Sequence, residues 1–305
     1  MLNKSKSIRF ILTQRCNYNC VFCHKEGLIE EYEEKMDVKD YAFLFHVVKK
    51  YFNINEVNLT GGEPLLRSDI TDIIYFLKLL GGKIVITTNG YFLHKIRDVR
   101  QFIDRINISI HSLNLKKYEL IVSKSNTFTQ VMNNLMEYKN IYPHLEIRLN
   151  TTLIKGHNSS KEDILKYIKF AKKVNASIKY VELFAKKNEG FVSNDEVEKI
   201  LKELNFKKIN EKDRKKDFTD GETLIRLSKI FCSFVKEKNS DYMYCKMFNE
   251  LFITPSGEIK MCRLSRRKIN ILDEVKLRQT EKLIHKLSIA FDMLGEDCVY
   301  MRDKK

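Results

Sequence analysis

Cys16, Cys20 and Cys23 fall within eight residues, in the string Arg15-Cys16-Asn17-Tyr18-Asn19-Cys20-Val21-Phe22-Cys23-His24. The C-x3-C-x2-C spacing puts three thiolates on one short loop, the ligand type that holds a four-iron, four-sulfur cluster. Three ligands leave one iron open. The amino and carboxylate groups of S-adenosylmethionine (SAM) can chelate an open iron of this kind, and an electron from the cluster can then cleave the sulfonium. The alternative is zinc held with His24. Zinc sites generally pair Cys-x2-Cys hooks from two places in the chain, and adjacent Cys23 and His24 are poorly placed to turn toward one ion.

A loop of this type has to be held by a scaffold. Apolar runs alternate with helical periodicity, which predicts repeated βα units and a parallel sheet. Strands are expected near Ser7–Thr13, Glu56–Thr60, Lys83–Thr87, Arg105–Ile110, Leu145–Leu153 and Ser177–Phe184. Helices are expected near Val38–Phe52, Asp69–Leu80, Leu93–Phe102, Thr127–Tyr138 and Lys161–Val174. In parallel βα arrays chemistry gathers on the loops after the strand C-termini, and the cysteine loop follows the first strand. The beat stops after Phe184. Lys207–Asp217 is so rich in charge that it reads as a mobile linker or long loop. Thr254-Pro255-Ser256-Gly257 between two apolar runs signals a hairpin, and a helix is expected near Glu274–Leu294.

Composition bounds the function. The 305 residues suffice for a full core with a small appendage. Seven cysteines, three of them clustered, argue against a secreted disulfide framework. No apolar run is long enough to cross a bilayer and no leader-like stretch opens the sequence, so a cytoplasmic protein without a membrane partner is expected. A net charge of +15 favours anionic partners. Much of it lies on helix faces such as Lys166, Lys169, Lys172 and Lys173, where charge is ordinarily solvated. With no Trp and no repeated basic-aromatic spacing, nucleic-acid binding is discounted.

The second strand ends in Thr60-Gly61-Gly62-Glu63-Pro64. Paired glycines admit close approach of backbone to a ligand, and Glu63 offers a carboxylate to an amine. One βα unit after the cysteine loop, with the aromatic Phe22 just before the last cysteine, this segment makes the chain resemble the radical SAM superfamily. The resemblance implies a partial (βα)6 TIM-like barrel, a [4Fe-4S] cluster on Cys16, Cys20 and Cys23, and SAM held by Phe22, Gly61, Gly62 and Glu63. It adds Thr88, Ser109 and Asn150 at later strand ends as SAM contacts. An electron donor such as flavodoxin or ferredoxin is implied too.

Leu59-Thr60-Gly61-Gly62-Glu63-Pro64-Leu65-Leu66-Arg67, Thr87-Thr88-Asn89-Gly90, Lys155-Gly156-His157-Asn158, Lys179-Tyr180-Val181-Glu182-Leu183-Phe184 and Cys23-His24-Lys25-Glu26-Gly27 narrow this likeness. Together they resemble the radical SAM GTP cyclase of molybdenum-cofactor biosynthesis over nearly the whole chain. That implies a barrel core over 1–190 and a Twitch- or SPASM-like appendage over 191–305. Cys245 and Cys262 would be ligands of a second iron–sulfur cluster. The family's third auxiliary cysteine is Phe248 here, so Cys232 or Cys298 would have to replace it or serve as a hydrogen donor. Arg67 also matches a family position. Arg9, Arg148 and Lys179 would bind an anionic substrate. Asn249-Glu250-Leu251-Phe252 replaces the family's Asn-Arg-Leu-Arg and the C-terminal Gly-Gly is missing, which turns the expectation from authentic GTP cyclisation toward a related reaction on a nucleotide-like or phosphorylated small molecule. Peptide modification, epimerisation or thioether formation, is the alternative within the superfamily. A basic iron–sulfur or zinc protein binding RNA is the alternative outside it, but leaves the Gly-Gly-Glu-Pro turn unexplained.

Overall fold

The computed structural model describes residues 7–28, 30–183, 190–212, 214–229, 250–263 and 267–294. Its centre is one twelve-stranded sheet in the order β12-β11-β10-β1-β2-β3-β4-β5-β6-β9-β8-β7. The strands are β1 (Ser7–Ile11), β2 (Glu56–Thr60), β3 (Lys83–Thr88), β4 (Arg105–Ser109), β5 (Glu146–Thr152) and β6 (Ser177–Val181), followed by β7 (Lys207–Lys212), β8 (Lys215–Thr219), β9 (Leu224–Ser228), β10 (Glu250–Ile253), β11 (Glu258–Lys260) and β12 (Lys268–Asn270). All six expected strands pair in parallel. β9 then joins β6 and β10 joins β1, both in parallel, so eight parallel strands form the wall of an open barrel. The described part of 191–305 thus adds strands to both edges of the barrel sheet.

Alternation along each strand sorts the two faces. Ile8, Phe10 and Leu12 face a core that includes Tyr41, Leu44 and Phe45 of α1 (Val38–Phe52). Arg9, Asn107, Arg148, Asn150 and Lys179 occupy the alternate positions and face inside the barrel. α1 begins with a reciprocal capping box between Asp37 and Asp40. The outer layer continues through α2 (Ile70–Leu79), a 3-10 helix (Leu93–Phe102), α3 (Leu115–Val122), α4 (Phe128–Ile141) and α5 (Lys161–Lys173). α6 (Asn194–Glu203), α7 (Leu272–Lys276) and α8 (Thr280–Asp292) complete it. The expected terminal helix is therefore two helices, joined at Arg278 in a left-handed conformation. Arg278 and Lys276 both pair with the buried Asp40, which fastens this end of the chain to α1.

Lys207–Asp217 is not a linker. It lies in an antiparallel hairpin of β7 and β8, with β7 exposed along its whole length. Lysines on an unpaired edge discourage pairing with other chains, so the charge belongs to a strand rather than to a loop. The hairpin at Thr254–Gly257 forms between β10 and β11 as expected. Among the described residues, no helix is long and apolar enough to cross a membrane.

Candidate active site

The cysteine loop leaves β1 at the C-terminal mouth of the barrel. It is pinned from outside by backbone N–H groups of Asn19 and Val21, which donate to the carbonyls of Val122 and Ile121 at the end of α3, at 3.1 and 3.0 Å. Cys16 Sγ accepts from Tyr18 N at 3.4 Å and Cys23 Sγ from Lys25 N at 3.3 Å, the kind of N–H donation that steadies cluster thiolates. Burial pushes the Cys16 thiol up to about 11, and burial with the nearby Cys23 and Cys16 pushes Cys20 up to about 12. Cys16 and Cys20 therefore both feel the nearby Cys23, as thiols that share one cluster would. Among the described residues no three His, Cys, Asp or Glu side chains gather as they would around a single ion. The donor set fits a cluster, in which each thiolate takes its own iron, better than zinc.

The Gly61–Gly62 pair is required by close backbone packing. A Cβ on Gly61 would lie 2.4 Å from the Thr13 carbonyl oxygen, and one on Gly62 would lie 2.3 Å from that of Arg15. Only glycine lets this turn dock against the entry of the cysteine loop, where Gly62 N and Glu63 N donate to the carbonyls of Thr13 and Arg15 at 2.8 Å each. Glu63 is fully buried and points inward. Its carboxylate accepts from Leu65 N at 3.0 Å, Thr88 Oγ1 at 2.7 Å and Asn89 N at 2.7 Å. Burial pushes its carboxyl up to about 7 against those donors. Glu63 and Thr88 thus tie the ends of β2 and β3 together. Asn89 passes the tie to the cysteine loop through Asn17, at 2.7 Å.

Phe22 sits with its ring edge-on to His111, centroids 4.5 Å apart. His111 is buried, and burial lowers it to about 4, leaving Nδ1 to accept from Thr152 N at 3.2 Å. Asn158, in the turn after β5, accepts from Ile154 N and donates to the carbonyls of His111 and Thr152, so it is a brace. Ser109 and Asn150 are register partners facing inward. Asn150 Oδ1 is buried without a partner, and Asn107 Oδ1 beneath it likewise. Two orphaned acceptors on the inner wall of β4 and β5 are the features a ligand with hydroxyl or amino donors would satisfy.

The inner wall carries charge. Lys179 lies between Asn150 and Arg226 in register, and Arg148 between Asn107 and Ser177. Burial, with Arg214, Lys215, Arg9 and Arg148 around it, lowers the Lys179 ammonium well below its ordinary range. Arg148 falls to about 10 through burial and the neighbouring Arg105 and Arg226. Lys179 and Lys215 have no carboxylate within ion-pair distance among the described residues. Arg9 differs. Its guanidinium meets Glu250 at 3.2 Å and Glu26 at 3.3 Å, and Glu26 also holds Arg263 at 2.8 Å and Thr60 Oγ1 at 3.2 Å. Burial alone would raise Glu26, but Arg263 and Arg9 outweigh it and hold the carboxyl far below the usual range. Arg67 is likewise occupied, forked onto Asp69 and donating to the carbonyls of Leu12 and Met36.

Glu26 and Glu250 were not among the site residues expected from sequence. The Cys-x-x-Glu-Gly string was the available signal for Glu26, while Glu250 shows its role only beside Arg9. Cys262 is half-buried next to Arg263, whose carbonyl would meet a Cβ on Gly27 at 2.2 Å. Cys245, Phe248, Cys232 and Cys298 lie outside the described residues.

The Radical SAM superfamily profile matches residues 10–171, more than half of the chain. A probable GTP 3',8-cyclase of Pyrobaculum aerophilum is 27% identical over 290 residues, covering 93% of this chain and 92% of that protein. One from Pyrococcus abyssi is 29% identical over 277 residues, covering 85% of each. Among solved structures, Streptococcus suis SuiB bound to S-adenosylmethionine superposes with a TM-score of 0.65 at 15% identity, over 91% of this chain and 66% of SuiB. Native anSMEcpe with bound AdoMet gives 0.62 at 14% identity, over 97% and 87%. Both share the fold. With the profile spanning the cysteine loop and the Gly-Gly-Glu-Pro turn, the chain belongs to the radical SAM superfamily and is an enzyme that works with a [4Fe-4S] cluster and SAM.

Proposed function

We propose that the enzyme acts on an anionic nucleotide-like or phosphorylated small molecule held inside the barrel, in a reaction related to that named for its GTP 3',8-cyclase relatives. The observation that carries this reading is the group of Arg148, Lys179 and Lys215 on the β5, β6 and β8 side of the interior, where Lys179 and Lys215 have no carboxylate within ion-pair distance among the described residues. Cations gathered in a poorly solvated space repel one another and favour an anion between them. The orphaned oxygens of Asn107 and Asn150 add acceptors for the donor groups of a sugar or base.

When bound, the cluster and SAM supply the electron and the 5'-deoxyadenosyl radical that removes a hydrogen atom from the substrate. Cys16, Cys20 and Cys23 would hold the cluster. Phe22, Ser109 and Asn150 would border SAM, with Gly61, Gly62, Glu63 and Thr88 fixing the loop that carries the thiols. The barrel wall would keep water from the radical. The test is reduced, reconstituted enzyme with SAM and a panel of nucleotides, reading 5'-deoxyadenosine. A nucleotide-dependent rise that Lys179→Met abolishes supports the reading. No rise with any nucleotide sinks it, and a mass change in a candidate peptide under the same conditions would replace it with peptide modification.

A further inference from the structure

Thr151 and Tyr180 alternate with the inward-facing Asn150 and Lys179, so they point to the helical layer, where a cavity of about 370 Å³ opens between β5, β6 and the first turns of α3 and α5. That volume suits a small organic molecule. Its polar lining is mostly engaged. Asn114 Oδ1 and Ser160 Oγ, the N-caps of α3 and α5, accept from Lys117 N and Asp163 N at 3.1 Å each, and Asn158 Oδ1 accepts from Ile154 N at 2.7 Å. Tyr167 and Thr151 both donate to the Ile110 carbonyl, at 2.6 and 2.7 Å. At the rim Lys117 meets Asp163 at 3.3 Å and Lys166 meets Glu162 at 2.6 Å, so two cations and two carboxylates cancel. Tyr180 is the exception. Its side chain lines the cavity, yet its hydroxyl is buried with no partner among the described residues. His111, also in the lining, accepts from Thr152 N at Nδ1 and, being neutral, keeps its proton on Nε2.

We propose that this cavity is a second small-molecule site, separate from the barrel interior, that takes a monocarboxylate with a compact apolar body. A buried hydroxyl left without a partner is costly, and a ligand that meets it removes that cost. The unspent groups, the Tyr180 hydroxyl and His111 Nε2–H, can both donate, and the positive ends of two helices open beside them, so the ligand presents an acceptor with negative charge. The balanced rim has no spare cation for a phosphate dianion, which singles out a singly charged carboxylate. Leu113 and the rings of Tyr167 and Tyr180 supply the apolar wall. His111 also meets Phe22 edge-on at 4.5 Å, so one side chain separates this site from the loop of cluster thiols.

The experiment uses the full-length, cluster-loaded enzyme with benzoate as the probe, and none of its readouts depends on SAM cleavage. Calorimetric titration should show one saturable benzoate site, with inorganic phosphate and benzyl alcohol each bound at least about tenfold more weakly, since one lacks the apolar body and the other the carboxylate. Tyr180→Phe should weaken benzoate binding by about tenfold while leaving the unliganded melting temperature unchanged or higher, because the hydroxyl it removes has no partner. Lys179→Met, which changes the barrel interior, should leave benzoate binding within about twofold. No saturable benzoate binding overturns the proposal and leaves the cavity to water. So does phosphate binding equal to that of benzoate, undiminished binding by Tyr180→Phe, or a lower melting temperature of that variant without ligand, which would make the hydroxyl a structural group. Loss of benzoate binding in Lys179→Met would put the probe inside the barrel and overturn it too. Crystals of the unaltered enzyme soaked in para-bromobenzoate give a check free of variants: anomalous bromine density beside Tyr180 supports the site, and density inside the barrel or nowhere sinks it.

Discussion

The two sides of the barrel interior pair their positive charge to different degrees. On the β1 and β10 side, Arg9 and Arg263 share Glu26, and Glu250 takes the remaining face of Arg9. On the β5, β6 and β8 side, Arg226 and Arg148 meet Asp217 and Glu146, but Lys179 and Lys215 have no carboxylate within ion-pair distance among the described residues. A paired cation holds the wall together and is largely spent. An unpaired one weakens the fold and keeps its charge available. Sequence places Arg9, Arg148 and Lys179 in one group of substrate cations, but their surroundings divide them.

Removing the shared carboxylate should produce the largest effect. Glu26→Gln leaves Arg263 and half of Arg9 uncompensated in a buried site, and should lower stability by about 3 kcal/mol in urea unfolding. A loss no larger than that of an exposed ion pair would erase the contrast between the two sides. Lys179→Met should do the reverse, weakening nucleotide binding by about tenfold in calorimetric titration while leaving the unliganded fold unchanged or about 1 kcal/mol more stable. A variant both less stable and undiminished in binding would mean that Lys179 is structural.

The same lysine sets a pH dependence. Its folded ammonium is disfavoured relative to the ordinary value of 10.5, so between the folded and unfolded values the unfolded chain binds the extra proton. Lys179 should therefore contribute stability that rises with pH across that interval and is complete above 10.5. Unfolding followed from pH 7 upward should show a steeper rise for the unaltered protein than for Lys179→Met, and identical slopes would count against an unpaired lysine. The smallest expected change comes from Glu250→Gln. Freeing one face of Arg9 should tighten the binding of a nucleoside triphosphate by about threefold, since Glu26 still holds the other face. Weaker binding would show that Glu250 positions Arg9 for the ligand.

Legibility followed distance along the chain. The thiol spacing, the strand beat and the Gly-Gly turn lie within contiguous strings, and each was readable because local spacing fixes local geometry. The pairing of Arg9 with Glu250 joins residues 241 positions apart and requires β10 to lie beside β1, which no local pattern states. Glu63 reads as a hand held out to an amine because its type permits that role. Its inward turn depends on Thr88 and Asn89, one βα unit later. Leu93–Phe102 carries helical periodicity yet winds as a 3-10 helix, a distinction that spacing of apolar residues resolves poorly. The hairpin of β7 and β8 was missed because an edge strand exposed on all sides is composed like a loop.

The position of β10 also bears on how the molecule comes into being. Ser7–Phe10 take Glu250–Ile253 as neighbours on one side. At ordinary rates of translation, roughly 5–20 residues per second, some tens of seconds separate the emergence of those two segments from the ribosome. During that interval the first strand has a bare flank of unpaired amides and carbonyls, and the nascent barrel is open to mispairing with other chains. Chaperone dependence should therefore concentrate in the period before residue 253 is made, and a growing chain arrested there would be far stickier than the finished one.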